Sequence, residues 1–244
     1  MIVLGGGCYG LLHVTHLLKA RDRGRIAFDR IVVVDRDATH RVAQTLGMHA
    51  DIVYVQSTWE TYLIRTIRSD TVHPEDEIVP PCIGPHLALH WLEARLREIP
   101  GWTVTRIPWD GTRLGIPFER SLNTGMHAVS YALWRCPATC IEPPVCPAIR
   151  APKNWDVGTF LARHWPAWTV SGRAVDTAVL FVSRHRAWGV ATIPVRTFLD
   201  ALHRVRTRLA ASDSSVLRVL VATVSSCHGL LGLLEVRRTR ERVA

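Results

Sequence analysis

The first ten residues constrain the fold more than any other stretch of this chain. Ile2, Val3 and Leu4 form a short apolar strand, and Gly5 to Gly10 follow in the pattern G-x-G-x-x-G. An amphipathic run begins at once, with Leu11, Leu12, Val14, Leu17 and Leu18 at helical spacing. A second apolar strand, Ile31 to Val34, ends in Asp35. Strand, glycine turn, helix, strand and acid come in the order of a parallel β-α-β unit. The helix N-terminus in such a unit carries unpaired N–H groups and the positive end of the helix dipole, so it attracts an anion.

Each glycine has its own role in this pattern. Gly5 permits the tight turn off the strand, Gly7 admits a pyrophosphate close to the backbone, and Gly10 lets the helix lie against the sheet. Asp35 stands 25 residues beyond Gly10, slightly past the usual interval of about 20. The polar stretch Arg21 to Arg25 accounts for the excess as a longer loop. Asp35 suits a free ribose hydroxyl and Arg36 a 2′-phosphate, so NAD and NADP both stay open. On these residues the chain resembles the NAD(P)- and FAD-binding Rossmann-fold superfamily. The motif resemblance covers residues 1 to 37, and the alternation of elements extends it to about residue 107. It implies a dinucleotide held by Gly5, Gly7, Gly10, Asp35 and Arg36. S-adenosylmethionine is the other ligand that this turn and acid accommodate.

The alternation continues after Asp35. Ala38 to Leu46 reads as a short helix, Ala50 to Val55 as a strand, Trp59 to Ile67 as a helix and Glu77 to Pro80 as a strand. His86 to Glu98 carries the stripe Leu87, Leu89, Trp91, Leu92 and Leu96, and Trp102 to Ile107 reads as a fifth strand. Strands alternating with helices predict a parallel sheet with ligands beyond its carboxyl ends. Residues 108 to 172 lose periodicity, and Pro137, Pro143, Pro144, Pro147, Pro152 and Pro166 predict an irregular, constrained segment. Regular structure returns with a strand at Ala178 to Val182, a helix from Pro194 to Ala211 and a nearly continuous apolar strand at Val216 to Val224. Asp110–Gly111 and the Asn123 to Gly125 stretch read as turns.

The net charge of +9 comes almost wholly from arginine, since Lys occurs only at positions 19 and 153. Apart from Arg237, Arg238, Arg240 and Arg242 the charges are scattered along the chain. No zinc-finger, helix-turn-helix or RNA-binding signature accompanies them, which predicts a solvated basic surface with a frayed tail rather than a nucleic-acid site. No apolar run is long enough for a bilayer, so no membrane partner is expected. The N-terminus reads as a strand rather than a secretory signal, making the cytoplasm the expected compartment.

Three of the six cysteines cluster, at Cys136, Cys140 and Cys146, within a Cys-rich loop spanning 136–146. In a reducing compartment such spacing points to metal or redox chemistry before a disulfide framework. C-x3-C-x5-C differs from zinc-ribbon and common ferredoxin spacings. Proline after Cys136 and Cys146 favours an iron–sulfur cluster, with zinc as the alternative. The fourth ligand is Cys227 or Cys82. Cys82 and His228 are also the candidates for catalysis, as each follows a strand. Cys8 sits in the glycine turn at the helix N-terminus and reads as a small side chain in a crowded loop.

These readings predict an α/β protein. A Rossmann-like, doubly wound, mainly parallel domain occupies residues 1–107, and a mixed, Pro- and Cys-rich α/β part occupies 108–244. The expected function is that of an NAD(P)-linked oxidoreductase or a subunit of one, with a cysteine-ligated centre near the nucleotide and an electron-transfer or other protein partner. The alternatives are a non-enzymatic nucleotide or redox sensor and an S-adenosylmethionine-dependent methyltransferase.

Overall fold

The strand Ile2–Leu4 (β1) has parallel neighbours on both sides in a computed structural model that describes residues 1–68, 72–81, 86–137, 139–170 and 172–239. It is followed by α1 (Cys8–Asp22), β2 (Ile31–Asp35), α2 (Arg41–Leu46), β3 (Ile52–Gln56), α3 (Trp59–Thr66), β4 (Glu77–Val79) and α4 (Leu87–Arg97). Next come β5 (Trp102–Ile107), β6 (Phe118–Ser121), β7 (His127–Ser130), β8 (Val145–Cys146), β9 (Ala151–Pro152) and α5 (Val157–His164). A 3-10 turn at Trp165–Ala167 leads to β10 (Thr169–Val170), β11 (Arg173–Ala174), β12 (Thr177–Val182), β13 (Arg184–Ala187) and β14 (Val190–Pro194). The chain closes with α6 (Val195–Ala210), β15 (Val216–Val224) and β16 (His228–Arg238). The fold is mixed α/β, with mixed sheets and six α-helices among the described residues.

Two compact units divide the chain. The first comprises Met1–Leu87, Arg135–Lys153 and Ser183–Leu199, and the second comprises Ala88–Trp134, Asn154–Val182 and Asp200–Ala244. Neither is continuous in sequence, so the division departs from the single boundary expected near residue 107.

In the first unit the sheet order is β13-β14-β4-β1-β2-β3. β4, β1, β2 and β3 run parallel, while β14 pairs antiparallel with β4 and β13 antiparallel with β14. Its core joins Val3, Ile31, Val33, Ile52 and Val79 of the strands to Val14 and Leu17 of α1. Fully burying such a side chain contributes roughly 1.5–3 kcal/mol, which explains why these short strands hold their places.

The second unit is built on β16. One edge of this strand pairs along its length with β15; the other pairs first with β7, from His228 to Leu231, and then with β5, from Leu233 to Arg238. The sheet order is β12-β15-β16-β7-β6, and only the β12–β15 pair is parallel. The fifth strand expected to extend the parallel sheet is therefore an antiparallel member of a different sheet. Strands and a helix also occupy the stretch expected to be irregular: the β6–β7 hairpin and α5. The core here gathers Trp109, Ile116, Val129, Leu161, Leu220 and Leu231. No helix among the described residues is long and apolar enough to cross a membrane.

Candidate functional site

The glycine loop lies at the carboxyl end of β1, where the Gly5 N–H donates to the Val34 carbonyl of β2 at 2.8 Å. Gly5 holds φ at +105°, a region that L side chains avoid. A Cβ on Gly10 would stand 1.9 Å from the Gly5 carbonyl oxygen, so α1 reaches the loop only because position 10 has no side chain. Gly6 faces the imidazole of His40, and the Trp59 ring closes over Gly5. The Trp59 indole N–H also donates to the Val34 carbonyl at 3.2 Å. Around Gly7 the space is open, with no atom within 4 Å of an added Cβ.

Gly7 is the N-cap of α1, and no side chain caps the first turn. The first-turn N–H groups therefore present the positive end of the helix without a capping side chain. Arg41 reaches the same turn, its Nη1 lying 3.0 Å from the Cys8 Sγ. Cys8 is exposed.

Asp35 closes the arrangement from the neighbouring strand. Its Oδ2 accepts from the Gly6 N–H at 2.7 Å and its Oδ1 from the Asp37 N–H at 3.0 Å. Two backbone donors thus fix the carboxylate against the loop, and its remaining lone pairs stay available to hydroxyl donors. Arg36 is exposed beside it. Gly5, Gly7, Gly10 and Asp35 are brought to one place. A cavity of about 350 Å³ on the same unit is lined by Val55, Gln56 and Ser57 at the end of β3 and by Tyr62, Arg65 and Thr66 of α3.

The cysteines are arranged differently. Cys136 is exposed, Cys140 is partly exposed and Cys146 is buried in β8. The Cys140 N–H donates to the Pro137 carbonyl at 2.9 Å, and the Cys140 Sγ accepts from the Glu142 N–H at 3.3 Å. Among the described residues no three His, Cys, Asp or Glu side chains are gathered as a metal ion requires. Cys227 belongs to the second unit, where it is buried and its Sγ accepts from the Trp155 indole N–H at 3.4 Å. His228, the first residue of β16, is exposed. Cys82 lies outside the described residues.

The second unit contains a polar constellation that no sequence pattern announces. Glu119, its side chain fully buried, accepts from the N–H groups of Leu114, Gly115 and Ile116 at 2.8–2.9 Å and pairs with the His127 Nε2 at 2.9 Å. His127 stacks on Trp109, with ring centroids 4.6 Å apart, and its Nδ1 lies 3.3 Å from the Ser121 Oγ. Burial alone would raise the Glu119 carboxyl. The Leu114 N–H, the His127 ring and the N–H groups of Ile116 and Gly115 outweigh it, leaving the carboxyl below its ordinary value. Three backbone donors on one carboxylate brace the 114–116 loop, which makes this first a structural staple. The β6–β7 register could have found it: Ser121 sits opposite His127, and Glu119 lies two residues back on the same face.

No curated protein and no solved structure matches the chain. A family pattern does match, over residues 88–237, which begins where the second unit begins. On that match the chain belongs to the AF_1314_C family, described as "Uncharacterized protein, C-terminal domain".

Proposed function

We propose that the first unit is a Rossmann-like nucleotide-binding domain and that the chain works as an NAD(P)-linked oxidoreductase or a subunit of one. The observation that carries this reading is the bond from the Gly6 N–H to the Asp35 carboxylate, 2.7 Å long. It makes the glycine loop and the acid of the next strand one site. The strand order supports the reading, because β1 has a parallel neighbour on each side and the crossovers diverge from it.

The residues fit a dinucleotide. The space at Gly7 admits a pyrophosphate, and the uncapped N–H groups of the first α1 turn donate to it. Arg41 adds positive charge at the same mouth. Asp35 accepts from ribose hydroxyls and so orients the sugar, and its negative charge disfavours a 2′-phosphate. The favoured form is therefore NAD. When bound, a nicotinamide dinucleotide supplies hydride transfer. The protein's part is to hold and orient it. A cysteine-ligated centre has no place in this proposal, because the described residues gather no three ligating side chains.

Calorimetric titration of the chain with NADH, NADPH and S-adenosylmethionine tests the reading. Micromolar binding of NADH, weaker binding of NADPH and none of S-adenosylmethionine supports it. Preference for S-adenosylmethionine overturns the oxidoreductase in favour of methyl transfer, and binding of none of the three removes the nucleotide site.

A further inference from the structure

The β13–β14 hairpin turns through two residues, Trp188 and Gly189, since Ala187 pairs with Val190. Both hold positive φ, at 33° and 81°. A two-residue turn of this kind takes Asn, Asp or Gly at its first position, because a Cβ is strained there. Here that place holds tryptophan, the bulkiest side chain available. Its carbonyl lies 2.8 Å from the His16 Nδ1 of α1, which pins the turn to the helix.

Three cations surround this one indole. Lys19 Nζ, the Arg23 guanidinium and the Arg25 guanidinium stand 5.5, 5.3 and 5.5 Å from its ring centre. All three residues are exposed, and none forms an ion pair among the described residues. Their neighbour Arg21 is different, being neutralised by Asp51 at 2.7 Å, with Asp22 4.0 Å away. Each cation–π contact contributes about 0.5–1 kcal/mol at an exposed site, and the indole gathers the three charges without neutralising them. Three unneutralised cations on one surface match the charge of a polyanion. The three charges fall within seven residues, at the end of α1 and just beyond it, so they form one basic surface rather than part of a dispersed one.

We propose that Lys19, Arg23, Arg25 and Trp188 form a docking surface for the phosphodiester backbone of a single-stranded nucleic acid. The cations take successive phosphates, and the partly exposed indole offers its edge to a base. A lipid surface fits less well, since no exposed large apolar side chain belongs to this patch. The surface is independent of the nucleotide site.

The test measures binding of a fluorescent 20-nucleotide single-stranded DNA to the full chain by anisotropy at several salt concentrations. Three variants are compared: Arg23→Ala/Arg25→Ala, Trp188→Asn and, as a charge-matched control on exposed arginines of the second unit, Arg163→Ala/Arg173→Ala. Trp188→Asn suits the turn's positive φ and tests the indole separately from the charges. The expected result is at least a fivefold loss of affinity in both patch variants against less than twofold in the control. The double patch variant also lowers the salt slope by about 1.4, at roughly 0.7 per phosphate contact on a single strand. Equal losses in patch and control variants would reduce the effect to net charge and overturn the proposal. Binding to phosphatidylserine vesicles or to polyglutamate at least as tight as to the oligonucleotide would overturn it too, by assigning the patch to a membrane or an acidic protein.

Discussion

The Gly6 N–H and the Asp35 carboxylate, joined at 2.7 Å, tie the first turn of the chain to the end of the second strand. Asp35→Ala leaves the Gly6 and Asp37 N–H groups without this acceptor and removes the charge proposed to orient the ribose. The expected outcome is a loss of about 1–2 kcal/mol in unfolding free energy. NADH affinity should fall about tenfold or more, with a narrower gap between NADH and NADPH. Denaturant melts and titrations with both dinucleotides check this; an unchanged NADH preference would detach Asp35 from the ribose.

Gly7 and Gly10 separate binding from folding. A Cβ at position 7 meets nothing within 4 Å, whereas at position 10 it meets the Gly5 carbonyl oxygen at 1.9 Å. Gly7→Val should fold, at a cost of about 1 kcal/mol for replacing an N-cap glycine with a β-branched residue, and lose nucleotide affinity. Gly10→Ala should be destabilised by about 2–3 kcal/mol, because the overlap is with backbone and outweighs alanine's better helix propensity. Thermal melts of the two variants decide it. Equal stability in both would mean the loop yields where it is drawn tight.

Sequence periodicity resolves the elements around this loop well and their wider pairing poorly. The apolar run Ile31 to Val34 and the acid after it become β2, and Trp59 to Ile67 becomes α3 with one residue fewer. Trp102 to Ile107 is equally legible as a strand, yet its partner is β16, more than a hundred residues away. Alternating side chains give a strand its faces but neither its neighbour nor its direction. The arginines at 237 and 238 mask the end of β16, which the frayed-tail reading omits. They sit at its exposed end, where Arg237 pairs with Glu235 and Arg238 lies over the Trp102 ring. Charge at a strand's end does not oppose pairing while Leu231 to Val236 stay inside.

The same limit applies to the polar groups. Asn123 to Gly125 is legible as a turn, but Glu119, Ser121 and His127 come together only through the register of the strands that flank it. Lys19, Arg23 and Arg25 meet Trp188 only because the hairpin lies against α1, a tertiary fact with no local signal. The cysteine spacing, conversely, is prominent in the sequence but is not matched by a gathered ligand set among the described residues.

Glu119 gives a pH dependence with a definite sign. Its carboxyl lies below the ordinary value of 4.5 in the folded chain. The contribution to stability is therefore fully present above about pH 4.5 and is lost as pH falls through the folded-state value. Glu119→Gln should cost roughly 3 kcal/mol at pH 7, because the amide turns an N–H₂ towards donors that need an acceptor. The gap between parent and variant should shrink in melts below pH 4.5. A gap independent of pH would show that the carboxylate charge is not what holds the 114–116 loop.

Thiol accessibility discriminates a metal-ligated cysteine segment from one that holds no metal. Cys8 and Cys136 are exposed, while Cys146 and Cys227 are buried. Alkylation of the native chain with iodoacetamide, read by peptide mass spectrometry, should modify the first pair within minutes and the second only on unfolding. Protection of Cys136 and Cys140 that a chelator relieves would restore the metal-centre reading.

Backbone amide hydrogen exchange with and without saturating NADH tests the nucleotide site most directly. The expected result is new protection in the peptide spanning Gly5 to Leu11, with a second protected segment at the end of β2 around Asp35, and loss of both in Gly7→Val. No protection at the glycine loop, or protection that Gly7→Val leaves intact, would contradict the assignment of α1's first turn as the pyrophosphate site.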